Sequence, residues 1–161
     1  MISLDFLDQV DVFRNLNDDQ LSAIQKCTEA VDFKRGDRIF TQGDPASHVW
    51  IVLEGDVELR TELPGRNRGA AGSSPSFMSE AQAFGWACFV PPYKYRLSCY
   101  CASRWGKVIR LNREDLLAIF EKDEVIGFKV MDYLLGAVGK QFAQLQEEIA
   151  KVRGIEMMSQ W

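Results

Sequence analysis

Residues 33–59 read FKRGDRIFTQGDPASHVWIVLEGDVEL, and this stretch decides the predicted fold. β-Branched and aromatic residues are frequent in it, which is typical of strands. Glycines interrupt it at Gly36, Gly43 and Gly55. Because glycine readily adopts the backbone conformations that tight turns require, the pattern predicts short strands joined by abrupt turns.

The segment from residue 49 to residue 63 has the form of a β-hairpin. Its tip is predicted at residues 54–56, and beyond the tip Val57, Leu59 and Thr61 alternate with charged residues. Such alternation places one face of a strand in the core and the other face in water.

A second strand–turn–strand pattern runs from residue 97 to residue 111, and we predict its turn at Gly106. Between the two patterns lies PGRNRGAAGSSPS, residues 64–76, which is rich in glycine, serine and proline and has no periodic apolar residues. This composition predicts a mobile loop within the domain.

Helices are predicted on both sides of the strands. Apolar residues recur at helical spacing from Val10 to Ile24, and within this segment Asn17 and Gln20 have the form of a capping box. Asn112 is predicted to begin a further short helix. The chain is therefore expected to be an α+β protein whose antiparallel strands lie in the middle of the sequence.

The last third of the chain has the most regular apolar pattern. Its residues follow one another at alternating spacings of three and four: Phe128, Met131, Leu135, Val138, Phe142, Leu145, Ile149 and Val152. This heptad pattern is typical of helices that pair with another helix, so we expect a homodimer interface here. In a parallel pair, Glu148 would lie opposite Arg153 of the other chain. Before about Val138, packing against the chain's own domain is an equal alternative.

Composition and charge exclude several classes of protein. The net charge is −4, which argues against a surface that binds nucleic acid. No apolar run is long enough to span a bilayer and the N-terminus lacks the basic start of a signal peptide, so we expect a cytoplasmic protein without membrane contact. The cysteines Cys27, Cys88, Cys99 and Cys101 form no CxxC pair. We predict free, buried or partly buried thiols and no metal site.

Five segments, together with the long helix that follows them, resemble a known family. They read VFRNLNDDQLSAI at 12–24, FKRGDRIFTQGDPASHVWIVLEGDVEL at 33–59, FGW at 84–86, YRLSCYCAS at 95–103 and KVIRLNREDLLAIF at 107–120. The chain resembles the cyclic nucleotide-binding domain family, of the cyclic-AMP receptor protein type, over nearly its whole length. The resemblance implies an antiparallel β-roll, which is a double-stranded β-helix of jelly-roll type, with N-terminal helices and a long C-terminal dimerisation helix.

One domain is expected over residues 1–161 because a chain of this length builds one sizeable core. Its expected parts are N-terminal helices at 1–30, the β-roll at 31–111, a short helix at 112–122 and the long helix at 123–153.

The resemblance also implies a ligand site, a phosphate-binding cassette at residues 84–96. In the family this cassette combines a short helix with an arginine for the phosphate and a glutamate for the ribose. Phe84 and Gly85 match its opening, Arg96 stands at the phosphate arginine, and Trp86 stands at the ribose glutamate. Because indole has one donor and no acceptor, Trp86 cannot accept a hydrogen bond from a ribose hydroxyl.

The candidate ligand-binding residues are those of the cassette and its immediate continuation: Phe84, Gly85, Trp86, Ala87, Lys94, Arg96, Leu97 and Ser98. Lys94 and Arg96 would share one face of an extended segment, which favours an anion as ligand.

The function expected from these residues is that of a stand-alone regulatory sensor. Its ligand would be an anionic small molecule other than ordinary cyclic AMP or cyclic GMP, or a modified nucleotide. Two alternatives remain: a dimeric protein-interaction module whose pocket is plugged by Trp86, and a protein that binds cyclic AMP or cyclic GMP despite the missing glutamate.

Catalytic residues are not expected, because the common nucleophile and phosphate-loop motifs are absent from the sequence. No cofactor is expected apart from a cyclic nucleotide or another small anion. The chain ends shortly after the long helix, so we expect no helix-turn-helix domain and no direct DNA binding. The expected partners are a second copy of the chain and an unidentified protein that reads the signal.

Overall fold

The structure, a computed structural model, describes residues 1–62 and 76–154. Its helices are α1 (Leu4–Gln9), α2 (Asp18–Gln25), α3 (Arg113–Lys122) and α4 (Glu124–Val152). Its strands are β1 (Thr28–Lys34), β2 (Arg38–Phe40), β3 (His48–Glu54), β4 (Val57–Arg60), β5 (Ser76–Met78), β6 (Ala83–Phe84), β7 (Ser98–Cys101) and β8 (Trp105–Asn112). Two short 3₁₀ helices span Asp11–Phe13 and Trp86–Phe89.

The strands form two antiparallel four-stranded sheets. Sheet A has the order β1-β8-β3-β6, and sheet B has the order β2-β7-β4-β5. Most successive strands therefore lie in different sheets, so the chain passes back and forth between the two sheets as it forms the roll. This arrangement confirms the predicted α+β class and the antiparallel β-roll with N-terminal helices and a long C-terminal helix.

The predicted hairpin at residues 49–63 is wrong. β3 pairs with β8 and β6, whereas β4 pairs with β7 and β5. The tight turn itself is present, since Gly55 has a φ of 81°, but it leads the chain from sheet A into sheet B. The alternation in β4 is confirmed, with Val57 and Leu59 buried and Glu58 and Arg60 half-buried. Local sequence thus identifies the turn, whereas strand pairing depends on distant segments.

The turn predicted at Gly106 is also wrong. It lies inside β8, not at a turn, and pairs with Phe33 of β1. A Cβ at this position would stand 3.0 Å from the Cys101 Sγ. The glycine therefore allows a close approach between the end of β7 and β8, and the connection between these strands is formed by residues 102–104.

The predicted helix starts are confirmed. α2 begins with a complete capping box, in which the Asn17 side chain accepts from the Gln20 N–H and the Gln20 side chain accepts from the Asn17 N–H. The Asn112 side chain accepts from the Glu114 N–H at the start of α3. These caps satisfy backbone donors that the first turn of a helix leaves without partners.

The core lies between the two sheets and continues between sheet A and the helices. Its fully buried members include Leu7, Phe13, Ile24, Ile51, Ile109, Leu111 and Ile126. The N-terminal helices and the first turns of α4 thus cover the roll, which leaves the later part of α4 to extend away from it.

Three of the cysteines are buried and Cys27 is half-buried, so the predicted burial is confirmed. Burial raises the pKa of Cys88 to about 12. Burial also raises the pKa of Cys99. These thiols therefore stay protonated and belong to the core.

Residues 63–75, which contain nearly all of the predicted mobile loop, lie outside the described residues, and Ser76 begins β5.

Among the described helices, none has the length and apolar character that a bilayer-spanning helix requires.

We predict that Gly55→Ala destabilises the fold more than Gly36→Ala does. Both glycines have positive φ, so each alanine costs about 1 kcal/mol for the left-handed backbone. A Cβ at Gly55 would also stand 2.8 Å from the Trp105 carbonyl oxygen, whereas a Cβ at Gly36 would meet nothing within 4 Å. Urea unfolding should therefore show a loss of about 3 kcal/mol for Gly55→Ala. Equal losses in the two variants would contradict this account of the turn.

Candidate functional site

The cassette begins where β6 turns into the second 3₁₀ helix. Gly85 stands at this turn with a φ of 80°, and Trp86 begins the helix. A Cβ at Gly85 would lie 2.7 Å from the Cδ1 atom of Trp50, so only glycine fits between the turn and the core. Phe84, just before it, is buried with its ring centroid 6.1 Å from that of Phe40.

Near the end of the cassette, Tyr95 is fixed by three contacts. Its ring stacks on Phe40 with 3.9 Å between the centroids. Its hydroxyl accepts a hydrogen bond from the Trp50 indole at 3.0 Å and donates one to the His48 carbonyl at 3.1 Å. Burial raises the pKa of Tyr95, so this hydroxyl keeps the proton that it donates. These contacts fix the position from which Arg96 extends.

A cavity of about 400 Å³ lies between the cassette, sheet B and α4. The described residues that line it are Asp11, Phe40, Leu59, Met78, Gln82, Ala83, Phe84, Gly85, Trp86, Ala87, Val90, Tyr95, Arg96, Leu97, Tyr133, Ala137, Val138 and Gln141. Its volume lies within the range of ordinary small-molecule sites.

Six of the predicted ligand-binding residues line this cavity together: Phe84, Gly85, Trp86, Ala87, Arg96 and Leu97. Lys94 and Ser98 are not part of the lining. Lys94 is exposed, and its backbone forms an isolated bridge with Pro45. Ser98 is fully buried, and its Oγ accepts from the Gln42 N–H at 2.8 Å.

Trp86 forms part of the cavity wall. Its ring centroid lies 6.5 Å from that of Phe89 in the same 3₁₀ helix and 6.3 Å from that of Tyr133 on α4. The residue is half-buried, and the cavity remains beside it. The indole thus joins the cassette to α4 without occupying the whole space.

The two charged residues of the described lining differ in whether their charge is paired. Arg96 is exposed, and its guanidinium has no ion-pair or hydrogen-bond partner among residues 1–62 and 76–154. Asp11 carries the one carboxylate among the described lining residues, and this carboxylate accepts from Arg14 Nη2 at 2.7 Å. Burial, followed by the charge of Asp11, raises the pKa of Tyr133. The positive charge of Arg96 is therefore the one that remains available to a ligand.

Sequence reasoning missed the lining residues that come from outside the cassette. Asp11 belongs to the first 3₁₀ helix, and Tyr133, Ala137 and Gln141 belong to α4. The last three are spaced by four residues, which places them on one face of a helix. This spacing is a usable signal, but only the fold shows that the face turns toward the cassette.

Three further contacts connect the cassette with α3. The Arg113 Nε donates to the Cys88 carbonyl at 2.7 Å, and its guanidinium lies 4.9 Å from the centroid of the Tyr93 ring. The ring centroid of Phe89 lies 6.1 Å from that of Phe120. Together with the Trp86–Tyr133 contact, these interactions connect the cassette to both C-terminal helices.

The apolar heptad residues of α4 are exposed along the helix. Phe128 and Leu135 are each 72% exposed, Met131 is half-buried, and the remaining members Val138, Phe142, Leu145, Ile149 and Val152 are exposed. The residues that pack inward are Ile126, Val130 and Leu134. The stretch before Val138 thus presents its heptad residues mainly to solvent and packs on its own domain through a different face.

Comparison with known proteins places these features in context. The family model of the cyclic nucleotide-binding domain matches residues 30–123. A Rhodopseudomonas palustris protein, assigned to the potassium channels by its name alone, is 25% identical over 146 residues, which cover 91% of this chain and 33% of that protein. A CRP-like cAMP-activated global transcriptional regulator of Mycobacterium tuberculosis is 28% identical over 60 residues, which cover 37% of this chain and 27% of the regulator. The chain thus spans a third or less of these curated relatives.

The solved structures include a protein of Geobacter metallireducens whose name assigns it to the cyclic nucleotide-binding proteins. The two chains are 26% identical and superpose with a TM-score of 0.71. The alignment covers 88% of this chain and 99% of the other.

We predict that Tyr95→Phe destabilises the protein and loosens the cassette. The variant leaves the Trp50 N–H and the His48 carbonyl without the partner that each has now, at a cost of about 2 kcal/mol in urea unfolding. Amide exchange of residues 84–96 should become faster as well. Tyr133→Phe is the control, because the Tyr133 hydroxyl has no hydrogen-bond partner in the described part of the chain. Similar stability and exchange in the two variants would refute the role of Tyr95.

Proposed function

The chain belongs to the cyclic nucleotide-binding domain family, and on that premise we propose that it is a regulatory sensor that binds an anionic small molecule in the cavity beside the cassette. The observation that supports this proposal is Arg96. It lines a largely apolar cavity and has no partner among the described residues. An arginine in this setting can form charge-assisted hydrogen bonds with a carboxylate or a phosphate.

The ligand is proposed to differ from ordinary cyclic AMP and cyclic GMP. A ribose hydroxyl needs an acceptor, and Trp86 supplies none at the position where the family has a glutamate. Asp11, which carries the carboxylate of the described lining, already pairs with Arg14. Cyclic AMP or cyclic GMP is the second candidate, supported by the name of the cAMP-activated regulator that part of this chain resembles.

The signal would pass from the cassette to the C-terminal helices. A ligand beside Trp86 also lies beside Tyr133 of α4, because the two rings are in contact. Arg113 and Phe89 connect the same cassette to α3. A ligand that prefers one arrangement of these contacts would shift the population of α3 and α4 positions. Such a role requires binding and no catalysis, so we propose a regulatory protein that is not an enzyme.

The exposed heptad face of α4 supports a homodimer as the second part of the proposal. Single exposed apolar residues are common in soluble proteins, but a continuous row along one helix favours an interface. In a parallel pair, Glu148 of each copy would face Arg153 of the other. The relatives indicate different kinds of effector, because the regions that match this chain belong to longer proteins. One of these is named as a channel and one as a transcriptional regulator.

A thermal-shift panel tests the sensing proposal. The panel contains cyclic mononucleotides, cyclic dinucleotides, inorganic phosphate and small carboxylates. A ligand at a hundred times its Kd stabilises the folded state by about 2.7 kcal/mol, which is roughly 5 to 10 °C in a chain of this size. We expect such a shift with at least one anion, and we expect Arg96→Ala to abolish it.

Arg104→Ala is the matched control, because Arg104 is an exposed arginine between β7 and β8 and lies outside the cavity lining. It should retain the full shift. The sensing proposal fails if no anion stabilises the protein, or if both arginine variants respond alike.

Light scattering tests the dimer. We expect the protein to be a dimer at micromolar concentration and Phe142→Glu to raise the dimer Kd at least about a hundredfold, or about 2.7 kcal/mol, because it places two carboxylates in an apolar interface. Gln144→Glu adds the same charge two residues away, which is nearly the opposite side of the helix, and should leave the Kd nearly unchanged. A monomeric parent protein, or equal effects of the two substitutions, would contradict the proposal.

A further inference from the structure

The walls of the cavity are mainly apolar and rich in aromatic rings. Phe40 and Phe84 line it from the two sheets, Trp86 from the cassette and Tyr133 from α4. Aliphatic residues such as Leu59 and Val90 complete the surface. A ligand that fills this space must therefore offer a largely apolar body, and a ring gains most because aromatic groups stack favourably on one another.

Six described lining residues have polar side chains, and three of these already form hydrogen bonds. The other three, Arg96, Tyr133 and Gln141, have no such partner among the described residues. The Asp11 carboxylate accepts from Arg14. The Gln82 Oε1 accepts from the Ser79 N–H at 2.7 Å. The Tyr95 hydroxyl is engaged with Trp50 and the His48 carbonyl. A ligand with several hydroxyl groups would meet walls that are mostly apolar, and hydroxyls that lose their water without gaining a partner weaken binding.

Arg96 supplies one positive charge to the cavity, which is enough to neutralise one carboxylate. A guanidinium matches a carboxylate with two parallel hydrogen bonds. A phosphate would need additional donors to pair its remaining oxygens. Arg96 is the one cation among the described lining residues, since Lys94 lies outside the lining, so no second positively charged side chain is available there for the remaining oxygens of a phosphate.

We propose that the ligand is an aromatic carboxylate: a flat apolar ring system that carries one carboxylate and no sugar. This inference rests on the anion-sensing function proposed above and narrows it to one chemical class. The carboxylate pairs with Arg96, and the ring system lies against Trp86 and the apolar wall. Contact with Tyr133 on the same side links the ligand to α4, so the same molecule that fills the cavity also influences the long helix.

Four probes separate the features of this ligand by isothermal titration calorimetry. 2-Naphthoate has the ring and the charge, 2-naphthamide has the ring without the charge, adamantane-1-carboxylate has the charge on a non-planar aliphatic body, and cyclic AMP has a charge with a ribose. We expect 2-naphthoate to bind at least about tenfold more tightly than each of the other three, since it alone combines stacking with the arginine pair.

Variants assign the two parts of the ligand to residues. Arg96→Ala should weaken 2-naphthoate at least about tenfold and reduce its affinity to that of the amide. Trp86→Leu should weaken 2-naphthoate about tenfold but leave adamantane-1-carboxylate unchanged, and Trp86→Phe, which retains an aromatic ring, should restore the preference. Trp105→Leu is the control, because Trp105 is exposed in β8 and outside the lining. Circular dichroism of each variant verifies that it is folded.

The possible results separate this inference from the broader function. If adamantane-1-carboxylate or 2-naphthamide binds as tightly as 2-naphthoate, the aromatic carboxylate is excluded. If cyclic AMP binds more tightly than 2-naphthoate and loses affinity in Arg96→Ala, the ligand class is wrong but anion sensing stands. If no anion binds to the folded parent protein, both proposals fail.

Discussion

The stacking of Tyr95 on Phe40 and its hydrogen bond with the Trp50 indole join the parts of the molecule that form the site. Phe40 belongs to β2 in sheet B, Trp50 belongs to β3 in sheet A, and Tyr95 is the second-last residue of the cassette. The Tyr95 side chain therefore contacts both sheets and holds the last residues of the cassette against them. The placement of Arg96 follows directly, because it is the next residue along the chain. Gly85 allows the other end of the cassette to approach the same tryptophan.

Trp86 changes the character of this site in two ways. It removes the acceptor that a ribose hydroxyl would use, and it adds an aromatic surface that contacts Tyr133 of α4. The first change disfavours the sugar of a nucleotide, whereas the second favours an apolar ring. The same side chain also shortens the connection between ligand and helix, because it contacts α4 itself. In the proposed function, ligand preference and signal output would therefore both depend on Trp86.

The sequence predicted features that depend on a few neighbouring residues. The glycine turns at Gly36, Gly43 and Gly55 and the caps at Asn17 and Asn112 are of this kind. Strand pairing was predicted wrongly, because the partners of β3 and β4 come from distant segments. The candidate site was likewise predicted only where it depends on neighbouring residues. Its cassette residues line one cavity, whereas the contributions of Asp11 and α4 depend on how the helices pack and were not foreseen.

The two faces of α4 are not independent. Tyr133, Ala137 and Gln141 line the cavity on one side, whereas Phe128, Leu135 and Phe142 are exposed on another. Val138 belongs to both sets, since it lines the cavity and is part of the heptad row. A second copy packed on that row would bury the same residue that a ligand touches. In the proposed function, a rotation of α4 that improves one contact would also change the other, and any resulting coupling between ligand binding and dimerisation would be equal in both directions.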